Sequence, residues 1–398
     1  MNLIRLQIHP QHLASFKAVA PVLSLLTGGV IAAWVYFSVA SPQRVGHYLT
    51  LHQVLETLSI AVSALVFAVG WKAHSLNPQR NVLILACGFL GVAILDFSHM
   101  LSFAGMPDYI TPNSVAKGIN FWLPARYLGA LTLLAAVTLH WRVPGDAAAP
   151  GPGRFVVLML VLTAVAAIHA VVFWFPQWYP QTYDDQGLTR FKIASEYGVV
   201  ALYAASLGVL LHWARERAAF DVARLFAAVW VMALSEFFFT FYIIATDPFN
   251  LLGHIYKVVG YYYLYRAIFV GTIEAPYRVL KQSDKAMRAV LDAVPDLMFE
   301  VTRDGHYVQI HTRQPELLLM PASEVVGRSI HDILPPAAAA VAQAAINTAA
   351  EQGLARDFQY ALDLPDGKHW FELSVARKVM DDDCLLYTSP SPRDKRQS

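Results

Sequence analysis

Charged residues are scarce in this sequence of 398 residues. Only 15% of its residues are Asp, Glu, Lys or Arg, against about 25% in soluble proteins, while 56% are hydrophobic. The apolar residues are gathered into long blocks, which is typical of a multi-pass membrane protein. The formal net charge is +1, so no basic excess indicates a nucleic-acid partner, and none is predicted.

Cysteine is rarer still, since Cys87 and Cys384 are its two occurrences. This scarcity excludes a disulfide framework and a cysteine-paired zinc motif. The sequence also contains no His-Glu-x-x-His segment, no Gly-Gly-Asp-Glu-Phe loop, and no phospho-acceptor histidine helix followed by an ATP-binding domain. No catalytic domain is therefore identified within these residues.

Eight apolar runs are each long enough to cross a bilayer as a helix of about 20 residues. They cover residues 18–40, 49–71, 81–101, 119–140, 154–175, 191–213, 222–245 and 250–272. The first run is too long for a signal-peptide core, so we interpret it as a retained helix. The predicted fold is an all-α membrane bundle of eight transmembrane helices, followed by a small α+β domain.

Lys and Arg are unevenly distributed between the two sets of loops. If the N-terminus is cytoplasmic, the inner segments hold Arg5, Lys17, Lys72, Arg80, Arg142, Arg154, Arg215, Arg217 and Arg224. The outer segments then hold only Arg44, Lys117, Arg190 and Lys192. By the positive-inside rule this bias predicts a cytoplasmic N-terminus, and eight crossings return the chain to the cytoplasm.

The composition becomes that of a soluble domain after residue 274. Residues 274–294 have helical spacing with an apolar stripe that includes Leu280 and Met287, which predicts a signalling helix that pairs in a homodimer. Two hairpins follow, with turns at Asp304-Gly305 and Asp366-Gly367, and a helix from Pro336 to about Gln352 lies between them.

This order of elements, with the segments VLDAVPDLMFEVTRDGHYV and GRSIHDILPP, resembles a PAS domain. In that family one more strand completes the sheet, and we expect that strand to be absent here. Four histidines of this region, His306, His311, His331 and His369, are interpreted as surface or turn residues.

The segment CLLYTSPSPRD, Cys384–Asp394, resembles the translated adapter of transposon-based sequencing libraries. We therefore predict that residues 384–398 are an artefactual tail and that the natural protein continued past Asp383 into an output domain. The predicted domains are a cytoplasmic N-terminus (1–17), a membrane sensor domain (18–273), a signalling helix (274–294), an incomplete PAS-like domain (295–383) and the tail (384–398).

Ionisable residues inside the predicted spans all fall in the outer half of the membrane. They are His52, Glu56, Asp96, His99, Arg126, His169, Glu196, Glu236, His254 and Lys257. An ionised side chain at the bilayer centre costs about 2.5–3.5 kcal/mol, so these groups are tolerable if they face one another or water. Pairs spaced i,i+3 or i,i+4, such as His52 and Glu56, share one helix face.

We predict that nine of these residues, all except His169, line a common ligand-binding cavity. His169 lies on an Ala/Val-rich helix and is interpreted as a hydrogen-bonded packing residue. Two alternatives remain open at this point: residues near helix ends can reach the headgroups, and polar side chains can hold helices together.

The histidines could also bind a transition metal or a haem, because imidazole suits Zn, Cu and Fe. Their spacing matches no metal motif, so a small organic ligand or a proton is the preferred stimulus, and no cofactor is assigned. The metal ligands, if there are any, are expected to be His52, His99 and His254.

The stretch LDFSHMLSFAGMPDY, followed by INFWLPARYLGALTLL, resembles MASE3, a bacterial membrane-associated sensor domain of eight predicted helices. The pattern falls on Asp96, Phe97, His99, Gly105, Met106, Phe121, Trp122, Ala125, Arg126 and Tyr127, and HQVLETLSI resembles the family's second helix. The resemblance implies a sensor in the bacterial inner membrane that feeds a histidine kinase or a diguanylate cyclase, often through a PAS domain.

The competing class is a transporter or an intramembrane metal- or haem-binding enzyme that uses the same cluster. The sequence shows no inverted repeat and no pair of Gly/Pro-broken helices, which weighs against transport. No nucleophile–base motif stands out, which weighs against an enzyme, and a transporter would have little need of a cytoplasmic PAS module.

Overall fold

The computed structural model describes residues 8–39, 44–139, 153–185, 187–218, 220–242, 244–293, 297–312, 315–364, 367–377 and 384–389. The chain divides into two compact units, Met1–Tyr277 and Arg278–Ser398. Each unit is considered separately below.

The first unit is a bundle of long helices. In the described part of the chain, eight helices have 20 residues or more, which confirms the predicted fold class. They are α1 (Pro10–Val39), α2 (Tyr48–Leu76), α3 (Arg80–Ser102), α4 (Val115–Thr138), α5 (Arg154–Trp174), α6 (Arg190–Trp213), α7 (Val222–Phe241) and α8 (Pro248–Phe269). Helix α1 begins at Pro10, before the predicted run, and residues 1–7 of the predicted N-terminal segment lie outside the described residues.

Length and composition allow α1 to α7 to cross a membrane, as far as the described residues go. Helix α8 has 22 residues, enough for a crossing, but His254, Lys257 and its tyrosines make it less apolar. Because His254 and Lys257 are buried within the bundle, α8 does not need a uniformly apolar surface.

Several helices begin at side-chain caps that satisfy otherwise unpaired backbone N–H groups. Ser114, Thr189, Asp221 and Asp247 accept hydrogen bonds from the first turns of α4, α6, α7 and α8. A short antiparallel pair, β1 (Tyr183–Asp184) and β2 (Gly187–Leu188), lies between α5 and α6. We call the end of the bundle formed by residues 103–114, 175–189 and 244–247 the loop end.

The core of the bundle is densely packed around α3, α4, α7 and α8. Its largest hydrophobic cluster includes Phe89, Leu133, Met232 and Tyr261. Helices α3 and α7 are mostly buried, whereas α1 and α5 expose most of their surface. The central helices therefore shield their polar residues from lipid, and α1 and α5 lie at the periphery.

A π-helical turn, Val270–Glu274, separates α8 from α9 (Ala275–Ala293). Proline at position 276 has no backbone N–H to donate to the helix. Irregular helical turns commonly occur at such positions. The chain therefore runs from the bundle into α9 through a locally altered helix.

The second unit contains a five-stranded antiparallel sheet in the order β4-β3-β7-β6-β5. Its strands are β3 (Leu297–Thr302), β4 (Tyr307–His311), β5 (Leu354–Leu364), β6 (Gly367–Arg377) and β7 (Cys384–Ser389). The helices α10 (Ala322–Val325), α11 (Ile330–Ile333) and α12 (Pro336–Gln352) lie between β4 and β5. Both predicted hairpins and the predicted helix from Pro336 to Gln352 are confirmed.

The prediction that the last strand is absent is wrong. Residues Cys384–Ser389 form β7, which pairs antiparallel with β3 on one side and β6 on the other. A strand between two others is held mainly by backbone hydrogen bonds, which do not depend on side-chain identity. The adapter origin of residues 384–398 stays a prediction, and residues 390–398 lie outside the described residues.

Candidate functional site

Six helices of the bundle bring the nine predicted site residues into its interior. His52 and Glu56 come from α2, Asp96 and His99 from α3, Arg126 from α4, Glu196 from α6, Glu236 from α7, and His254 and Lys257 from α8. Each side chain is at most 5% exposed. The i,i+3 and i,i+4 spacings orient the paired residues inward, as expected of one helix face.

Glu56 is the centre of one ion-pair group. Lys257 donates to both of its carboxylate oxygens, with Nζ at 2.6 Å from Oε1 and 2.7 Å from Oε2. His254 Nδ1 lies 2.7 Å from Oε1. Helices α2 and α8 are therefore joined by charged contacts that lipid and water do not reach.

Asp96 and Arg126 form a second buried pair. Arg126 donates from Nη2 to both oxygens of Asp96, at 2.5 and 2.7 Å, and from Nη1 to the hydroxyl of Tyr261 at 2.6 Å. Lys257 Nζ lies 3.5 Å from Asp96 Oδ2. Lys257 thus lies between two carboxylates and is bonded closely to only one of them.

Three imidazole rings lie next to Glu56. The Nε2 atoms of His52 and His99 are 3.3 Å apart, and His99 Nδ1 lies 2.8 Å from the carbonyl oxygen of Gly118. His254 completes the group, because one ligand atom from each of His52, Glu56, His99 and His254 lies within 4.8 Å of all the others. We call these four residues the His₃Glu cluster.

Glu196 and Glu236 belong to an adjoining polar group. Glu196 Oε1 lies 3.0 Å from Lys192 Nζ and accepts a hydrogen bond from Trp122 Nε1 at 3.3 Å. Lys192 Nζ also donates to the carbonyl oxygen of Phe239 at 2.5 Å. Glu236 is buried on α7 and 2% exposed, and it interacts electrostatically with Glu196.

Trp122 contacts a residue of each polar group described above: Arg126, Lys257 and Glu196. Arg126 Cζ lies 4.3 Å from the centre of its ring, and Lys257 Nζ lies 4.6 Å from a ring of the same side chain. Aromatic faces attract cations at such distances, more strongly where water is excluded. Trp122 therefore attracts two buried cations with its ring and donates a hydrogen bond from its indole N–H to Glu196.

Sequence reasoning did not include Trp122 or Lys192 among the site residues. Lys192 was assigned to the outer flanking residues, whereas its side chain is 1% exposed and turned inward. Its i,i+4 spacing to Glu196 was a usable signal for this placement. Trp122 was visible only as one residue of the INFWLPARY pattern.

A small cavity borders the imidazoles. It has a volume of about 30 Å³ and is lined by His99, Phe103, Val115, Gly118, Ile119, Trp122, Phe239, Tyr242, Ala245, Asn250 and His254. The lining residues Phe103 and Ala245 belong to the loop end, so the cavity extends from the cluster toward that end. Sites for drug-sized ligands occupy about 300–1,000 Å³, which is at least ten times more space.

His169 stands apart from these groups. Its ring contacts Ser98 Oγ at 2.7 Å and the carbonyl oxygen of Val165 at 2.8 Å. Both ring nitrogens therefore have partners, as predicted for a packing histidine.

Two sequence-family models match the chain. MASE3, described as a membrane-associated sensor domain, matches residues 43–276, which is more than half of the chain. A PAS fold model, PAS_4, matches residues 291–384. No curated protein matches the sequence.

Among solved structures, the chain is similar to the PAS domain of the Cronobacter turicensis RpfR quorum-sensing receptor in complex with BDSF. The identity is 14% and the TM-score 0.20, over 25% of this chain and 94% of that one. It is also similar to the PAS domain of an HTR-like protein from Haloarcula marismortui, with 20% identity, a TM-score of 0.23, and coverage of 30% and 98%.

Proposed function

Because the chain belongs to the MASE3 family of membrane-associated sensor domains and continues into a PAS domain, we propose that a stimulus bound in its buried polar cluster regulates an output domain through α8, α9 and the PAS domain. The combination of the two domains supports a sensory input region in a multi-pass membrane protein. The output is a histidine kinase or a diguanylate cyclase.

The observation that carries this proposal is the position of Lys257. It lies on α8, the helix that precedes α9, and it contacts Glu56 of α2 and Asp96 of α3. A stimulus that changes the charge near Glu56 changes the balance of Lys257 between the two carboxylates. A ligand can shift a conformational equilibrium only by binding its two states differently, and this exchange of partners supplies such a difference.

The cluster belongs to the outer half of the membrane in this proposal, with the N-terminus and the PAS domain in the cytoplasm of a bacterium. The distribution of Lys and Arg in the connections supports that orientation. The cavity at the loop end gives the stimulus access from outside.

A homodimer formed through α9 completes the mechanism. Leu280 and Met287 are spaced by seven residues, and their side chains are 68% and 61% exposed within one chain. Apolar residues at heptad spacing pair helices in coiled coils. The occupant of this face is therefore a second copy of the chain.

The proposal is tested by hydrogen–deuterium exchange on the full chain in lipid nanodiscs. Glu56→Gln removes the charge that holds Lys257, and we expect a changed exchange rate in residues 275–293. Ser98→Ala is the matched control, because Ser98 lies on α3 between Asp96 and His99 but contacts His169.

A change in α9 with Glu56→Gln and none with Ser98→Ala supports signal transfer from the cluster. Unchanged exchange in α9 for both Glu56→Gln and Lys257→Met, in variants that melt as cooperatively as the wild type, contradicts it. The second variant guards against a substitution that the bundle happens to tolerate.

A further inference from the structure

We propose that the His₃Glu cluster is a binding site for a divalent transition-metal ion of the kind that imidazole prefers, such as Zn²⁺, Cu²⁺ or Fe²⁺. The inference rests on the proposed function, because it names the stimulus of that same site. The proposed stimulus is thus a metal ion, whereas the sequence favoured a small organic ligand or a proton.

The donor set matches such an ion in number and kind. Three imidazoles and one carboxylate offer four ligand atoms that lie within 4.8 Å of one another. Zinc takes four such ligands in a tetrahedron at about 2.0–2.2 Å, which sets them about 3.3 Å apart. His52 Nε2 and His99 Nε2 are already 3.3 Å apart, and His254 Nδ1 is 2.7 Å from Glu56 Oε1. Three nitrogen donors argue against Mg²⁺ and Ca²⁺, which prefer oxygen.

The orientation of His99 is a second, independent observation. Its Nδ1 lies 2.8 Å from the carbonyl oxygen of Gly118, so this nitrogen carries the proton and donates it. The other nitrogen, Nε2, then carries the lone pair and lies 3.3 Å from Nε2 of His52. Metal-binding histidines characteristically hold their second N–H against a carbonyl or carboxylate in this way.

His52 adds a third observation. Its side chain is fully buried, and its Nδ1 atom has no hydrogen-bond partner in the structure. A buried imidazole in this position is incompletely satisfied by the protein alone, which is unusual for a buried polar group. The other ring nitrogen of His52, Nε2, lies 3.3 Å from Nε2 of His99, so a cation between the two rings would be within reach of both nitrogens.

The size of the cavity selects an ion over a larger molecule. The space beside His99 and His254 is about 30 Å³, and a cavity needs about 10–15 Å³ to hold one water molecule. An ion fits such a space, which Val115 and Asn250 also line. Haem and drug-sized organic ligands do not fit the packing that surrounds it.

Lys257 explains how binding would change the bundle. A metal ion at Glu56 takes over the positive charge that Lys257 supplies there at 2.6 Å. Lys257 Nζ then needs to move by only roughly 0.7 Å to shorten its 3.5 Å separation from Asp96 Oδ2 to the usual length of a charged hydrogen bond. His254 and Lys257 lie one turn apart on α8, so the ion and the displaced lysine act on the same helix.

The absence of a metal motif in the sequence follows from this geometry. The four ligands come from three helices, and only His52 and Glu56 share one of them. A short motif needs at least two ligands close together on one segment followed by a third at a fixed distance. Here 43 residues separate Glu56 from His99 in the numbering, and many more separate His99 from His254.

The test measures binding directly on the tag-free full chain in nanodiscs, after chelator treatment and dialysis. Titration with Zn²⁺, and with Co²⁺ as a spectroscopic probe, is expected to saturate at about one ion per chain with the visible bands of tetrahedral Co²⁺. His99→Ala and His254→Ala are expected to weaken binding at least tenfold. His169→Ala is the matched control, because His169 is also a helix histidine of the bundle but has partners for both nitrogens.

A further variant separates loss of a ligand from misfolding. His99→Cys keeps a metal-binding side chain, so we expect it to bind Co²⁺ and to add a thiolate-to-cobalt charge-transfer band. The wild type and His169→Cys, which place no thiol at the cluster, are the controls and should lack that band. No saturable binding to the wild type, or equal binding by the wild type and both alanine variants, would overturn the proposal.

The outcomes also separate this inference from the proposed function. Saturable, histidine-dependent binding that leaves exchange in α9 unchanged upholds the metal site and contradicts the sensory role. Exchange in α9 that responds to Glu56→Gln in a protein that binds neither Zn²⁺ nor Co²⁺ upholds the sensory role and overturns the metal site.

Discussion

Lys257 on α8 donates to both carboxylate oxygens of Glu56 on α2, at 2.6 and 2.7 Å, and neither side chain is more than 2% exposed. A pair this deeply buried contributes little net stability, because removing both charges from water offsets their attraction. The pair instead fixes the relative position of α2 and α8, because either charge would be costly to bury without its partner. The two helices are thereby held in one arrangement until another charge enters.

Lys257→Met is expected to destabilise the bundle by about 3–5 kcal/mol, because it leaves Glu56 as an uncompensated buried charge. Thermal unfolding of the purified chain in nanodiscs measures this loss. Lys285→Met is the matched control on exposed α9 and is expected to change stability by less than about 0.5 kcal/mol. Adding Glu56→Gln to Lys257→Met should recover part of the loss, and a purely additive double variant would contradict the pairing.

Arg126→Lys is expected to cost at least about 1.5 kcal/mol, the value of one charge-assisted hydrogen bond. Lysine keeps the charge but lacks the second terminal nitrogen of the guanidinium, which donates to Tyr261 while the first donates to Asp96, and it does not stack as well on Trp122. The comparison is Arg224→Lys, which affects a partly exposed pair with Asp221 and should cost less than Arg126→Lys. Equal melting temperatures for the two variants would mean that the guanidinium geometry at Asp96 and Tyr261 adds nothing.

Gly253→Ala tests the close approach of α7 and α8 beside the cluster. A Cβ at position 253 would lie 2.5 Å from Cζ of Phe239, so we expect a loss of about 1–3 kcal/mol from overpacking. Gly28→Ala is the control, since no atom lies within 4 Å of a Cβ there, and the higher helix propensity of alanine should stabilise by up to about 1 kcal/mol. Differential scanning fluorimetry measures both variants.

Leu280→Asp and Met287→Asp are expected to dissociate the homodimer formed through α9, because a charge at an apolar heptad position opposes pairing. Light scattering coupled to size exclusion measures the mass of the full chain in detergent. Gln282→Asp introduces the same charge at another exposed position of α9 and should leave the mass unchanged. Equal masses for all three variants would exclude α9 as the dimer contact.

Helix positions were predictable from the sequence because lipid imposes a long apolar run that few other structures require. The eight predicted runs correspond to α1 to α8, and turn residues such as Asp304-Gly305 marked the hairpins of the PAS domain. The boundaries were less predictable. Helix α1 begins at Pro10 and not at residue 18, because capping and packing decide where a helix ends once it extends past its apolar run.

The inward placement of the polar residues was predictable from their cost in lipid, but their partners were not. Spacing shows that His52 and Glu56 share a face, yet it cannot show that Lys257 bonds Glu56 more closely than Asp96. That choice depends on the distances between α2, α3 and α8, which tertiary packing decides. Lys192 was misplaced for a related reason, because a cation near a helix end can turn either way.

The π-helical turn Val270–Glu274 gives the chain a mechanical property. An α-helix advances by about 100° per residue, and a π turn accommodates one extra residue within a turn. One inserted residue therefore changes the phase of a helix by roughly that angle. Moving the turn along the chain would rotate each residue that it passes about the helix axis.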